Sequence, residues 1–73
     1  MKTINFEKKL NQQFADLPNE FVFEQLIYLT SKHRGKHITE RTLKSHIANE
    51  TCGSLLRKYD PIAFFVAKHD YEN

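Results

Sequence analysis

The side chains able to do chemistry crowd into one stretch of this 73-residue chain. Lys32, His33, Arg34, Lys36, His37, Arg41, Lys44 and His46 are eight of its fifteen Lys, Arg and His residues. Glu40 is the one acid between Lys32 and His46, so that window carries a formal charge of +4, while the remainder of the chain sums to −2. The overall +2 therefore conceals a one-sided distribution. A concentrated basic window is the electrostatic footprint of a surface that meets a polyanion, most often nucleic acid. The plainer reading is a solvated loop and helix face with no partner.

Two other chemistries are tested against the same residues. His33 and His37 are four apart, and His46 and Cys52 stand further along as further metal donors. Gly35 interrupts the His33–His37 spacing, and no second Cys completes a zinc pattern, so no metal site and no cofactor are expected. Catalysis has less support. The chain has no glycine-rich phosphate loop and no Ser elbow, and Ser45 and His46 are adjacent rather than opposed. We expect a protein that is not an enzyme. Cys52 reads as a small buried apolar group.

Length and composition set the frame for whatever positions the basic window. Seventy-three residues make a single domain, residues 1–73, with a modest core. A lone Cys permits no intramolecular disulfide and fits a reducing compartment. No stretch has the ~20 apolar residues of a membrane span, and the start, Met1 to Lys9, has no apolar core of a signal peptide. A cytoplasmic protein without membrane contact is the expectation. Nine aromatics are generous for so small a core, which suggests that some are covered only when two chains meet.

With two Gly and two Pro in all, the chain reads as helices joined by short turns. Ile4/Phe6, Leu10, Phe14 and Leu17 recur at three-to-four-residue spacing, which predicts a helix from about Asn5 to Ala15. Asp16 to Asn19 break it. Either Asp16 or Asn19 can cap a second helix, from about Glu20 to Lys32, and Pro18 is tolerated in a first turn. That helix is apolar on more than one side and closed by Gly35. Thr39 is the N-cap of a third helix, with Glu40 in its first turn and Ile38 and Leu43 placed as a hydrophobic staple. Gly53 is expected to end or kink it. Asp60-Pro61 is a cap and first-turn pair, predicting a short helix from Ser54 to Tyr59 and a last one from Pro61 to Tyr71. The run Ile62–Ala67 is apolar on both faces, so periodicity leaves a β-hairpin open as the alternative for residues 54–69. The fold class is thus all-α, a small bundle of three to five helices, or else a winged helix with a C-terminal hairpin.

The segment Ile38-Thr39-Glu40-Arg41-Thr42-Leu43-Lys44-Ser45-His46-Ile47 resembles the second half of helix-turn-helix DNA-binding motifs. Ile38, Thr39, Thr42, Leu43 and Ile47 carry the likeness. The motif's first half departs from the family, because His37 stands where Gly is usual and Gly35 comes two residues early. The resemblance implies a helix-turn-helix-like pair, with Thr39, Glu40, Arg41, Lys44 and Ser45 presented to double-stranded DNA. Physical chemistry supplies roles beside it. Arg41 can hydrogen-bond a guanine in bidentate fashion, and Thr39 suits a phosphate at a helix start. Lys32, Arg34, Lys36 and Lys44 add sequence-independent affinity by releasing counterions. The leading expectation is a small transcriptional regulator, with Phe64, Phe65 and Val66 as the surface of a homodimer or another protein partner. The alternative is a protein-interaction module that grips its partner with those aromatics and a basic face.

Overall fold

The heptad-like spacing at the start of the chain folds into helix α1, Thr3–Ala15, which turns Phe6 and Leu10 inward. The computed structural model describes residues 1–31 and 38–73. It continues with α2 (Asn19–Leu26), a single 3₁₀ turn (Ile27–Thr30), α3 (Glu40–Ala48), α4 (Cys52–Tyr59) and α5 (Pro61–Glu72). The fold is an all-α bundle, with no strand among the described residues. Residues 54–69 are helical on both sides of Asp60, so the winged-helix alternative with its C-terminal hairpin is replaced by two helices.

Asp60 explains that outcome. Its Oδ1 accepts from the Ala63 N–H at 3.2 Å, capping α5, and Pro61 occupies the first turn where no N–H is needed. Its Oδ2 accepts from the Tyr28 hydroxyl at 2.8 Å, which ties the α4–α5 corner to the 3₁₀ turn. The two carboxylate oxygens thus hold both a local and a distant partner.

The core joins Phe6, Leu10, Val22, Leu26, Leu29, Ile38, Leu43, Cys52, Leu55, Leu56 and Phe64. Phe6 and Phe64 meet edge to face at 5.3 Å, a favoured aromatic geometry. The α1–α4 packing is the most extensive in the molecule, followed by α4–α5. α2 and α3 pack on each other, and the 3₁₀ turn packs on both.

Two sequence expectations are corrected. The second helix stops at Leu26 rather than running to Lys32. A 3₁₀ turn, with three residues per turn, keeps Leu29 buried directly after Leu26, and Thr30 Oγ1 bonds back to the Ile27 carbonyl at 2.7 Å. Gly53 neither ends nor kinks α3. It lies in the first turn of α4, where a Cβ would sit 2.7 Å from the Asn11 backbone nitrogen and 2.9 Å from the Glu7 carbonyl oxygen. Its purpose is the close approach of α1. The residue that closes α3 in the left-handed conformation is Glu50, at φ 58°. The Thr51 N–H reaches the His46 carbonyl at 2.9 Å and the Glu50 N–H the Ile47 carbonyl at 3.2 Å, the paired bonds of a Schellman ending.

A polar seam runs beside Gly53. Asn11 Oδ1 accepts from the Ser54 N–H at 2.9 Å and so caps α4 from another helix, while the Thr51 side chain makes no cap of its own. Glu7 accepts from the Ser54 hydroxyl and from Arg57, each at 2.6 Å. These two hydrogen bonds, Ser54's first, hold its carboxyl below the ordinary range.

Candidate nucleic-acid interface

α3 begins as its sequence grammar requires. Thr39 Oγ1 accepts from the Thr42 N–H at 3.2 Å, and the two hydroxyls lie 3.1 Å apart. Ile38 and Leu43, the two ends of the staple, are both buried in the core. Leu43 and the half-buried Ile47 anchor the helix, so the opposite side is open to solvent. Residues Glu40, Arg41, Lys44, Ser45, Ala48 and Asn49 are all exposed. Their i, i+1, i+4, i+5 rhythm makes one outward stripe. At nine residues, α3 is about 13 Å long, enough for two to three turns in a groove.

Of the residues expected to contact DNA, Thr39, Arg41, Lys44 and Ser45 lie together at this exposed surface. Lys32, Arg34 and Lys36 lie outside the described residues, as do His33, Gly35 and His37. Much of the window's positive charge resides in those three cations. Within the helix and its end, the exposed cations Arg41 and Lys44 are matched in number by the exposed acids Glu40 and Glu50. The Lys44 ammonium leans toward α2, 5.4 Å from the centre of the Phe23 ring. It is a flank contact, suited to a phosphate, while Arg41 and Ser45 occupy the middle of the stripe.

His46 fills the position where the resemblance leads one to expect an apolar or aromatic residue. It is half-buried, and its Nδ1 lies 2.8 Å from Thr51 Oγ1 across the end of α3. Burial pushes the Cys52 thiol up, away from the reactive thiolate. No cluster of three metal-ligating side chains occurs among the described residues.

The expected partner surface divides in two. Phe64 is 0 % exposed and packs on Phe6, so it belongs to the core and offers nothing to a partner. Phe65 and Val66 face outward at 48 % and 55 % exposure, joined by Ile62 at 78 %. Ile62, Phe65, Val66 and His69 follow i, i+3, i+4, i+7 along α5, an apolar stripe with no formal charge. The sequence sets Ile62, Phe65, Val66 and His69 on one helical face, but the run Ile62–Ala67 is apolar on both faces, leaving no contrast to tell the inward face from the outward.

A groove lies between α2 and α3. Phe23, Ile47 and Ala48 line it together with Asn19, Glu20, Glu24 and Lys44. Its signal in the sequence is the Glu20–Phe23–Glu24 spacing, which sets three side chains on one face of α2. In comparisons with known proteins, no family model, no curated protein and no solved structure matches this chain.

Proposed function

We propose that this chain is a small DNA-binding regulator that sets α3 into the major groove. The observation that carries the reading is the outward stripe of α3. A capped helix, anchored by Leu43 and Ile47, presents Arg41 and Ser45 with Lys44 on its flank. A helix of this size fits the major groove, where its first turns reach base edges. Arg41 is the candidate for base recognition, and Thr39 and Lys44 are candidates for phosphate contact. The packed α2–α3 pair supports the helix-turn-helix resemblance, with a connection longer than the usual short turn. Lys32, Arg34 and Lys36 belong to the same reading through their charge alone.

One such helix covers few base pairs, and regulators of this kind pair on two half-sites about one helical turn apart. The α5 stripe of Ile62, Phe65 and Val66 is the candidate homodimer surface, since exposed apolar patches rimmed by polar residues mark interaction sites. The test is an anisotropy titration of labelled duplex DNA across a salt series. Binding at low salt should weaken steeply as salt rises. Absence of binding at about 50 mM salt and micromolar protein would remove the proposal, since that is where counterion release favours binding most.

The α5 stripe also favours a second reading, a protein-interaction module with no nucleic-acid partner. In that case Phe65→Ala with Val66→Ala abolishes function and Arg41→Ala with Lys44→Ala leaves it intact. The DNA reading expects the Arg41 and Lys44 substitutions to abolish binding.

A further inference from the structure

The α2–α3 groove adjoins the outward stripe of α3 and shares Lys44 and Ala48 with it. Its apolar lining is the Phe23 ring, Ile47 and the exposed Ala48, and the open depression has a volume of about 510 Å³. Glu20 and Glu24 stand one helical turn apart on its rim. Neither has an ion-pair partner among the described residues. Like charges at i, i+4 destabilise a helix by about 0.2–0.5 kcal/mol, while Glu20 in the first turn gains from the positive end of the helix dipole. Lys44 is the nearest cation on the opposite wall, and it rests over Phe23 instead of pairing with either carboxylate. The groove is thus an apolar trough whose one bank carries two carboxylates without an ion-pair partner among the described residues. It suits a cation carried on an apolar segment.

We propose that this groove receives a cationic amphipathic helix of a partner protein. An apolar side chain of that helix lies on Phe23, Ile47 and Ala48, and its Lys or Arg residues lie over Glu20 and Glu24. The groove is open to solvent along its Glu20–Glu24 rim and at Ala48, so it cannot surround a small molecule as ligand pockets do. The two helices that wall it run only eight and nine residues, which matches about two turns of a docked helix, ~11 Å. This inference does not rest on the DNA reading, because the carboxylates that recruit the peptide lie on α2, outside the α3 stripe, although the two surfaces share Lys44 and Ala48.

The probe is a fluorescein-labelled 14-residue helical peptide of leucine and lysine, with a control in which glutamate replaces every lysine. Anisotropy gives affinity, and backbone amide shifts of the whole chain locate the contact. The lysine peptide should bind, moving amides of residues 19–24 and 44–48, and the glutamate peptide should not. Glu20→Lys with Glu24→Lys should weaken binding by about tenfold, the size expected for reversing two rim charges. Ala48→Gln, a helix-compatible change that fills the mouth of the groove, should weaken binding without changing the fold. Equal binding of the two peptides would overturn the proposal. So would amide shifts confined to the α5 stripe, which would assign the interaction to that face, and so would unchanged affinity in both variants. Titrating the Glu20→Lys, Glu24→Lys variant, whose changes lie on α2 outside the stripe, with duplex DNA keeps the two readings apart. Loss of peptide binding with DNA binding retained supports this proposal alone, and the opposite pattern supports the DNA reading alone.

Discussion

Gly53→Ala adds one methyl group at the closest approach of two helices. That methyl would stand 2.7 Å from the Asn11 backbone nitrogen, 2.8 Å from Asn11 Oδ1 and 2.9 Å from the Glu7 carbonyl oxygen. Two of the three atoms are α1 backbone, so no side-chain rotation relieves the clash. α1 must withdraw from α4. A gap of 0.5–1 Å forfeits about a quarter to a half of each affected contact, and this interface holds Phe6, Leu10, Leu55 and Leu56. Overpacking of this kind costs about 1–3 kcal/mol. Displacing Asn11 from the Ser54 N–H costs about 1 kcal/mol more. Alanine's better helix propensity returns about 1 kcal/mol. The net is a loss of about 2 kcal/mol, out of a total stability of roughly 4–11 kcal/mol for a domain of this length. Urea denaturation followed by circular dichroism reads the change, with an accompanying fall in Tm of about 8–16 °C. A Gly53→Ala protein as stable as the parent would refute the argument, because it would mean that α1 does not lie against Gly53.

Glu50→Gly should stabilise the fold by about 0.5–1 kcal/mol, since glycine adopts the left-handed closing position of α3 without the penalty a Cβ brings; a lower Tm would contradict that backbone geometry. Glu7 has its folded pKa depressed by Ser54 and Arg57, so its contribution is present above the ordinary carboxylate value of 4.5 and is lost as pH falls through the folded value. Glu7→Gln should therefore lower stability at neutral pH and flatten the acid limb of a Tm-versus-pH curve, and an unchanged acid limb would argue against the seam. Asp60→Ala removes both the α5 cap and the bond from Tyr28, for about 2–3 kcal/mol. Tyr28→Phe removes only the second, and chemical denaturation should rank the two in that order.

What the sequence made legible was local. The cap and staple of α3 involve residues within five positions of one another, and Thr39, Ile38 and Leu43 take the expected places. Asp60-Pro61 likewise states its own helix start. The misreadings arose where the deciding partner is far along the chain. Gly53 reads as a helix end until Asn11 and Glu7, more than forty residues earlier, are brought against it. The closing residue of α3 is a glutamate, which no turn grammar nominates. The second helix tightens into a 3₁₀ turn because Leu29 is wanted in the core and Tyr28 is held by Asp60, neither of which periodicity can express. Phe64 cannot be told from Phe65 and Val66 in the sequence because the run Ile62–Ala67 is apolar on both faces. The stripe on α3 was legible from the charge and cap pattern, whereas the α2–α3 groove needed two helices to be set side by side.

The central functional claim is that the outward stripe of α3 is the surface that meets DNA. Its most direct test is the amide spectrum of the labelled protein titrated with a short duplex at low salt, repeated with Arg41→Ala. The account expects shifts concentrated between Thr39 and Asn49 and strongly reduced in the Arg41 variant. A spectrum that stays still on saturating duplex, or that moves only along Ile62, Phe65 and Val66, would contradict it.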